Sequence, residues 1–197
     1  MNIREKIDKL GLRVLYEELN PGIRGFLSEI NGIWHVIVNK NDPPERQNFT
    51  LAHEYFEYTF KDDTELLPEE KHRKADICAS ELLLPEESFK PAAAEFGLHE
   101  LKKIFPHVSY EAIARRYIRF VPAVVTIFDN MVCTSRFASE GMNYPHTPSE
   151  VERTIAIECA KSHETAHKFE PPLDVSGYIL DEKNSIIRIF VIARIVE

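Results

Sequence analysis

Hydrophobic residues recur every three or four positions along much of the chain, which predicts amphipathic helices. The predicted helices cover residues 3–10, 45–60, 69–84, 98–105, 109–120 and 148–167. Glycine is favoured just after a helix, so Gly11 is expected to end the first one. Ser109 is a predicted N-cap, and the Pro171-Pro172 pair is expected to end the last helix.

Apolar and β-branched runs predict strands between these helices. The predicted strand regions cover residues 12–19, 25–30, 33–39, 123–137, 175–180 and 186–196. Asn31-Gly32 separates two of them, and an Asn-Gly pair is a strong hairpin signal because both turn positions need positive φ. Asp129-Asn130 interrupts the run 123–137, so a second hairpin is expected there.

The order of these elements predicts an α+β fold in two parts. Residues 1–121 form the first part, which ends in a helical segment. The character of the sequence changes at Pro122, where apolar, β-branched residues replace the helical pattern. Residues 122–197 are therefore expected to form a small α+β lobe with the order strand, strand, helix, strand, strand, a candidate sensor or docking module.

Composition narrows the class of protein. With 197 residues, 44% of them hydrophobic, the chain can bury the core of an ordinary globular protein. A formal charge of −8 argues against bulk attraction to nucleic acid. The N-terminus lacks the apolar core of a signal peptide, and no run approaches the roughly 18 apolar residues of a membrane span. Cys78, Cys133 and Cys159 are well separated, which indicates reduced thiols and a cytoplasmic location.

Two stretches resemble the metal-binding motif His-Glu-x-x-His of zinc peptidases. This motif places two ligands one helical turn apart, with a carboxylate beside the first ligand to take a proton from the attacking water. Residues 53–57 spell His-Glu-Tyr-Phe-Glu, with a glutamate where the second histidine is usual. Residues 163–167 spell His-Glu-Thr-Ala-His and match the motif letter for letter.

The full match is the weaker candidate. Lys161 and Lys168 place charges beside the two histidines, whereas an active-site helix of this kind is enclosed. The chain reaches Pro171 soon afterwards, and no predicted helix follows to supply a third ligand. We interpret the stretch as a solvated helix C-terminus whose histidines complement the helix dipole. Zinc bound by His163 and His167 is the alternative.

The imperfect match has the better surroundings. Uncharged residues flank residues 53–57 on both sides, as an enclosed metal helix requires. Glu57 is itself an acceptable zinc ligand. In the next predicted helix, His72 is expected on the apolar, buried side, where it faces His53 and Glu57. We therefore predict a metal site of His53, Glu57 and His72 with Glu54 as the catalytic base; a structural core histidine is the alternative for His72.

Residues 45–60 and 72–89 resemble the ImmA/IrrE family of metallopeptidases. Its first block, Arg-x-x-Phe-Thr-x-Ala-His-Glu-x-x-His, is matched by Arg46, Phe49, Thr50, Ala52, His53 and Glu54. Its second block, a helix ending in Leu-Leu-Met-Pro, is matched by Ala75, Asp76, Ala79, Leu82, Leu83 and Pro85. The likeness covers residues 12–120 well and the last lobe only loosely. It implies a zincin-like core, a small antiparallel sheet with active-site helices.

Two departures from the family pattern look like one reciprocal exchange. Glu57 stands where the family has its second ligand histidine, and His72 stands where it has its ligand glutamate. Asp76, one turn later, is either an acceptor for a ligand imidazole or an ordinary surface carboxylate. The resemblance implies zinc, with manganese as the alternative metal, and a cytosolic helix-turn-helix repressor as substrate, whose cleavage relieves repression of mobile-element or stress genes.

Two further functional classes stay open. A catalytically silent relative would keep the fold as a binding module for a repressor or toxin partner. The helices at 98–120 could instead form a DNA-binding helix-turn-helix, because this segment contains five basic residues and only two acidic ones. A packed helical hairpin with a solvated basic face is the preferred interpretation of that segment, and direct nucleic-acid binding is not expected.

Overall fold

The structure, a computed structural model, describes residues 3–181 and 186–196. The helices are α1 (Ile3–Lys9), α2 (Pro44–Phe60), α3 (Pro68–Leu83), α4 (Glu86–Glu95), α5 (Leu98–Ile104), α6 (Tyr110–Tyr117) and α7 (Glu150–Ser162). The strands are β1 (Arg13–Glu17), β2 (Gly25–Ile30), β3 (Ile33–Asn39), β4 (Ala123–Asp129), β5 (Val132–Ala138), β6 (Ala166–Glu170), β7 (Leu173–Asp181) and β8 (Ile187–Ile195). The predicted α+β class is confirmed.

The chain divides into two compact units. One comprises Met1–Phe89 and Lys102–Ala112, and the other comprises Lys90–Leu101 and Ile113–Glu197. The boundary expected near residue 121 stays a prediction. Among the residues that the structure describes, no helix combines the length and the apolar character needed to cross a bilayer.

The first unit is built on a three-stranded sheet in the order β1-β3-β2. Strand β3 is central, parallel to β1 and antiparallel to β2, so this sheet is mixed and the expectation of an antiparallel sheet is wrong. The β2–β3 hairpin is the one that Asn31-Gly32 predicts, and these two residues have φ angles of 52° and 77°. Val36 and Val38 of β3 are fully buried in one core with Leu51 and Ala52 of α2. Apolar burial thus holds α2 against the sheet.

Polar contacts fix where α2 begins. The side-chain amide of Gln47, in the first turn, donates to the carbonyl oxygens of Asn39, Lys40 and Asp42 at 2.9–3.3 Å. The buried Asn39 side chain in turn donates to the Ile23 carbonyl oxygen and accepts from the Asn41 backbone. These bonds tie the end of β3 to the first turn of α2, so the side chains further along α2 have a fixed position.

Gly25 allows a close approach between β2 and α2. A Cβ atom added at this position would lie 2.4 Å from Cγ2 of Thr50 and 2.6 Å from the carbonyl oxygen of Ile37. Both distances are far below van der Waals contact, and the second partner is backbone that cannot rotate away. A glycine is therefore required where the sheet meets α2.

The second unit contains a five-stranded antiparallel sheet in the order β5-β4-β8-β7-β6. Helix α7 packs on this sheet through Ile155, Ala156 and Cys159, which share a core with Phe128 and Val191. Ser149 caps the helix: its side chain accepts from the Glu152 amide, and the Glu152 side chain accepts from the Ser149 amide. This reciprocal arrangement is a capping box.

Two expectations about these elements are wrong. Helix α7 ends at Ser162, well before Pro171, because His163 turns the chain into the left-handed region with φ 56°. A strand, β6, follows it, so the described part of the lobe has five strands where four were expected. Separately, helix α4 begins directly after Pro85 and contains Pro91, a residue type that usually ends a helix.

A buried ion pair stabilises the second unit. Arg136 and Glu152 have side chains that are 8% and 3% exposed. The guanidinium contacts both carboxylate oxygens of Glu152, and Thr126 donates a further hydrogen bond to this carboxylate at 2.8 Å. Burial by itself raises the pKa of Glu152, but the bonds from Arg136, Ser149 and Thr126 outweigh it and hold the pKa below its ordinary value.

We expect Glu152→Gln to lower the free energy of unfolding by about 3 kcal/mol at neutral pH, because it leaves Arg136 buried without its counter-charge. A lowered pKa stabilises the fold above the ordinary glutamate value of 4.5. This contribution disappears as the pH falls from 4.5 through the folded-state value, so the difference between variant and wild type should shrink there. Urea denaturation followed by circular dichroism at several pH values measures it.

Glu158→Gln is the matched control, since this residue lies on the same helix with an exposed side chain. Its free energy of unfolding should stay within about 0.5 kcal/mol of wild type. Equal losses in the two variants would show that the buried ion pair contributes no more to the free energy of unfolding than an exposed carboxylate does.

Candidate metal centre

Helices α2 and α3 pack against each other in the first unit and run in opposite directions. Contacts between their side chains show this: His53 meets Asp76, whereas Glu57, one turn later on α2, meets His72, one turn earlier on α3. All four are therefore on the facing sides of the two helices. Five consecutive residues of α2, from Thr50 to Glu54, are buried, as the uncharged flanks predict.

The structure brings His53, Glu57 and His72 together. Their candidate ligand atoms all lie within 4.8 Å of one another. Nε2 of His53 is 3.5 Å from Oε1 of Glu57, and Nδ1 of His72 is 2.9 Å from the same oxygen. The donor set, two imidazoles and one carboxylate, is one that zinc accepts, and ligand atoms around tetrahedral zinc are about 3.3 Å apart. The residues present therefore fit a zinc ion.

Asp76 orients His53. Its Oδ1 lies 2.9 Å from Nδ1 of His53, which leaves Nε2 directed at Glu57. Burial lowers the pKa of His53, but the bond to Asp76 and the surrounding carboxylates outweigh it and raise the pKa overall. The same bond lowers the pKa of Asp76. The sequence left two interpretations of Asp76 open, and the structure agrees with the one in which its carboxylate accepts a hydrogen bond from an imidazole.

His72 is less enclosed than its position in the sequence predicts. Its side chain is 67% exposed, against 9% for His53 and 23% for Glu57. The expectation that His72 lies on the buried side of α3 is wrong, and so is the alternative of a core histidine. At about 100° per residue, His72 is about 60° around the helix from the buried Ala75. The buried Ala79 is only about 20° away, so His72 lies within the angular range of the apolar residues. Its side chain is exposed because the residues at the start of α3 are themselves little covered.

Glu54 lies beside the cluster as a buried carboxylate. The residue is 8% exposed, and within the described part of the chain its side chain makes no hydrogen bond or ion pair. Burial raises its pKa to about 7, with the charge of Glu57 acting in the same direction and His53 and His72 opposing it. A carboxylate with a pKa near neutrality can both accept and release a proton at physiological pH.

The second motif does not form a comparable site. His163 is the C-cap of α7, and His167 lies on β6, so the two side chains are not one helical turn apart. Nε2 of His167 is 2.6 Å from Oδ1 of Asp174 on the neighbouring strand. In the described residues, His53, Glu57 and His72 are the only group of three potential ligands close enough to share an ion. The helical spacing on which the alternative depends is absent.

The basic residues of α5 and α6 are partly used inside the protein. Lys102 donates to Glu45 and to the carbonyl oxygens of Pro106 and Val108, and its side chain is 18% exposed. Arg116 is buried, and its guanidinium lies 5.0 Å from the ring centroid of Phe120. These contacts remove two of the five positive charges from the surface that the DNA-binding alternative requires.

Some contacts of the site were not predicted from the sequence. Phe49, one turn before His53, stacks on its imidazole with ring centroids 6.4 Å apart. The rings of His53 and His72 lie edge to face at 4.5 Å. The spacing of Phe49 and His53 is the only sequence signal for the first contact, and any helix with apolar residues gives that signal.

A known family model matches the part of the chain that contains the cluster. Residues 7–117, more than half of the chain, match the Peptidase_M78 model, described as the IrrE N-terminal-like domain. The chain belongs to this family. The resemblance to ImmA/IrrE proteins is thereby confirmed, and the matched residues of the Peptidase_M78 domain include the whole cluster.

One solved structure of similar fold is a Mycobacterium tuberculosis transcriptional regulator. The two share 15% sequence identity with a TM-score of 0.63, and the likeness covers 97% of this chain and 67% of that one. At this identity the likeness concerns the fold alone. No curated protein matches the chain by sequence.

Proposed function

We propose that this Peptidase_M78 protein is a zinc-dependent endopeptidase with a zincin-like core. The observation that supports this most strongly is the convergence of three ligand-type side chains beside a buried carboxylate without a partner. His53, Glu57 and His72 supply the ligand atoms, and Glu54 supplies the carboxylate. The same groups serve metal-assisted hydrolysis in enzymes that use two histidines and one glutamate.

His53, Glu57 and His72 would hold the ion, with manganese as the alternative metal. A bound zinc supplies Lewis acidity, which polarises the scissile carbonyl and makes water a stronger acid. Glu54 accepts a proton from the attacking water and delivers it to the leaving amine, and its raised pKa matches both steps. Asp76 keeps Nδ1 of His53 engaged, so Nε2 is the nitrogen presented to the ion.

The proposed substrate is a cytosolic helix-turn-helix repressor, cleaved to relieve repression. This part of the proposal comes from the family, several of whose members cleave such repressors. The solved structure of similar fold is itself a transcriptional regulator, so this fold occurs among proteins that control transcription. The substrate and the protease would then share the cytoplasm.

A catalytically silent binding module is the second candidate. Glu57 occupies the usual position of a histidine, and His72 is mostly exposed, so its coordination competes with water. Metal content and turnover separate the two candidates.

Wild-type protein, purified with zinc present and freed of excess metal, should contain one zinc per chain. His72→Ala removes one of three ligands and should lower the affinity at least a hundredfold, which competition against a chelating dye measures. His163→Ala is the matched control and should leave the affinity unchanged, because His163 lies outside the cluster. Loss of zinc in the control but not in His72→Ala would overturn the assignment.

Asp76→Ala should weaken zinc binding about 10- to 100-fold, because His53 loses the acceptor that fixes its ring. Asp76→Asn keeps an oxygen acceptor and should lose less. Competition titrations on the two variants beside Asp62→Asn, a carboxylate between the helices whose side chain is 85% exposed, give the comparison. Equal affinities for wild type and Asp76→Ala would show that His53 needs no support.

Glu54→Gln should reduce cleavage of a repressor substrate by a factor of about 10²–10⁴ while zinc binding is retained, because the amide cannot take up the proton. The assay incubates purified protein with helix-turn-helix repressors encoded beside its gene and follows their fragments by mass spectrometry. Glu81→Gln, a carboxylate on α3 outside the cluster, serves as control. Equal cellular effects of wild type and Glu54→Gln would support the silent module.

A further inference from the structure

A cavity of about 600 Å³ lies in the same structural unit as the metal centre. Seven of its nine lining residues are apolar, and the other two are Asn48 and His107. Lysine, arginine and carboxylate side chains are absent from this lining, which is drawn from the described residues. The volume is typical of cavities that receive a ligand, and the lining favours apolar groups over charged ones.

The walls of the cavity are held in place by the protein itself. Three consecutive carbonyl oxygens in the loop between α5 and α6 accept hydrogen bonds: Lys102 donates to Pro106 and Val108, and Asn48 donates to His107. Phe105 packs against the fully buried Phe89 with ring centroids 5.3 Å apart. The loop therefore needs no ligand to keep the cavity open, which lowers the cost of binding.

Two of the residues that line the cavity, Asn48 and Leu83, belong to the helices that bear the candidate metal centre. On α2, Asn48 precedes His53 by five residues, or about 7.5 Å along the helix axis. On α3, Leu83 follows Asp76 by seven residues, or about 10 Å, and two helical turns place it on the same side of α3. An extended peptide advances about 3.3 Å per residue, so the axial part of this offset corresponds to two or three residues. Asn48 also lies about 140° around α2 from His53, whereas Leu83 is on the same side of α3 as Asp76.

We propose that this cavity is a specificity subsite that receives one bulky apolar side chain, such as leucine, methionine or phenylalanine, from a polypeptide substrate. The side chain would lie two or three residues from the bond cleaved at the metal centre. Ile104, 47% exposed, lines the cavity where it opens to solvent, so a chain lying across the opening can insert a side chain. The inference rests on the proposed peptidase function and adds the class of sequence recognised.

The test measures binding without turnover. The Glu54→Gln protein with zinc is titrated into fluorescein-labelled octapeptides of glycine and serine that carry one leucine or one alanine at successive positions. Fluorescence polarisation gives the dissociation constants. Leucine at one position should bind about tenfold more tightly than alanine there, because only leucine fills the apolar cavity.

Variants of Ile104, at the opening of the cavity, test whether the preference for leucine arises there. Ile104→Glu should abolish the preference for leucine, and Ile104→Ala should reduce it partway, since both remove apolar surface from the opening. Ile157→Glu, on the exposed side of α7 in the other unit, is the matched control for a new charge at 43% exposure and should keep the preference. Circular dichroism verifies that each variant is folded.

The outcomes distinguish this inference from the proposed function. A preference for leucine that survives Ile104→Glu, or no preference at any position, overturns the subsite. Saturable binding of indole that Ile104→Glu abolishes, without any peptide preference, would mark a small-molecule site and overturn it also. Absence of cleavage by the wild type contradicts the peptidase alone, because the binding ratios do not depend on turnover.

Discussion

Two reciprocal hydrogen bonds between α2 and α3 determine the geometry of the candidate site. Each helix contributes one imidazole and one carboxylate, and each imidazole bonds the carboxylate of the other helix at 2.9 Å. A slip of one residue would move one helix past the other by about 1.5 Å, enough to break both bonds. The ligand cluster therefore exists only in one register of the two helices.

The rest of the first unit maintains that register. Gln47 binds three carbonyl oxygens at the end of β3, and Gly25 lets β2 approach Thr50 without a clash. Between these points and His53, Leu51 and Ala52 are fully buried against the sheet. A site on a helix fixed at its start and along its buried side is preorganised, and its side chains need little rearrangement when an ion binds.

The sequence was informative where the signal is local. Asn31-Gly32 predicts its hairpin because both φ angles must be positive, and the uncharged flanks of His53 predict an enclosed helix. Exposure of His72 depends on what covers the first turn of α3, and helical periodicity carries no information about that. The turn at His163 was missed for a similar reason: β6 is mostly exposed, so its polar pattern resembles the end of a solvated helix.

Long-range pairings were beyond the sequence for another reason. Arg136 and Glu152 lie sixteen residues apart on a strand and a helix, and neither residue type predicts burial by itself. The apolar cavity depends on Lys102 and Asn48, whose side chains donate hydrogen bonds to carbonyl oxygens of one loop. The spacing of these two residues in the sequence does not predict those bonds. His53 and Glu57, in contrast, were identifiable because one helical turn fixes their separation, whereas His72 lies on the next helix and has no such fixed spacing.

Glu54 is the feature that a purely structural account explains least. A buried carboxylate without a partner destabilises the fold, and a pKa of about 7 in place of 4.5 corresponds to roughly 3 kcal/mol once the group is ionised. Glutamine would fill the same volume without that cost. A binding module has no use for the charge, whereas hydrolysis needs a base that titrates near neutrality beside the attacking water. A pKa near neutrality beside the cluster is what the proposed peptidase would require of its base, and the proposal keeps Glu54 in that role whichever of residues 57 and 72 is the histidine.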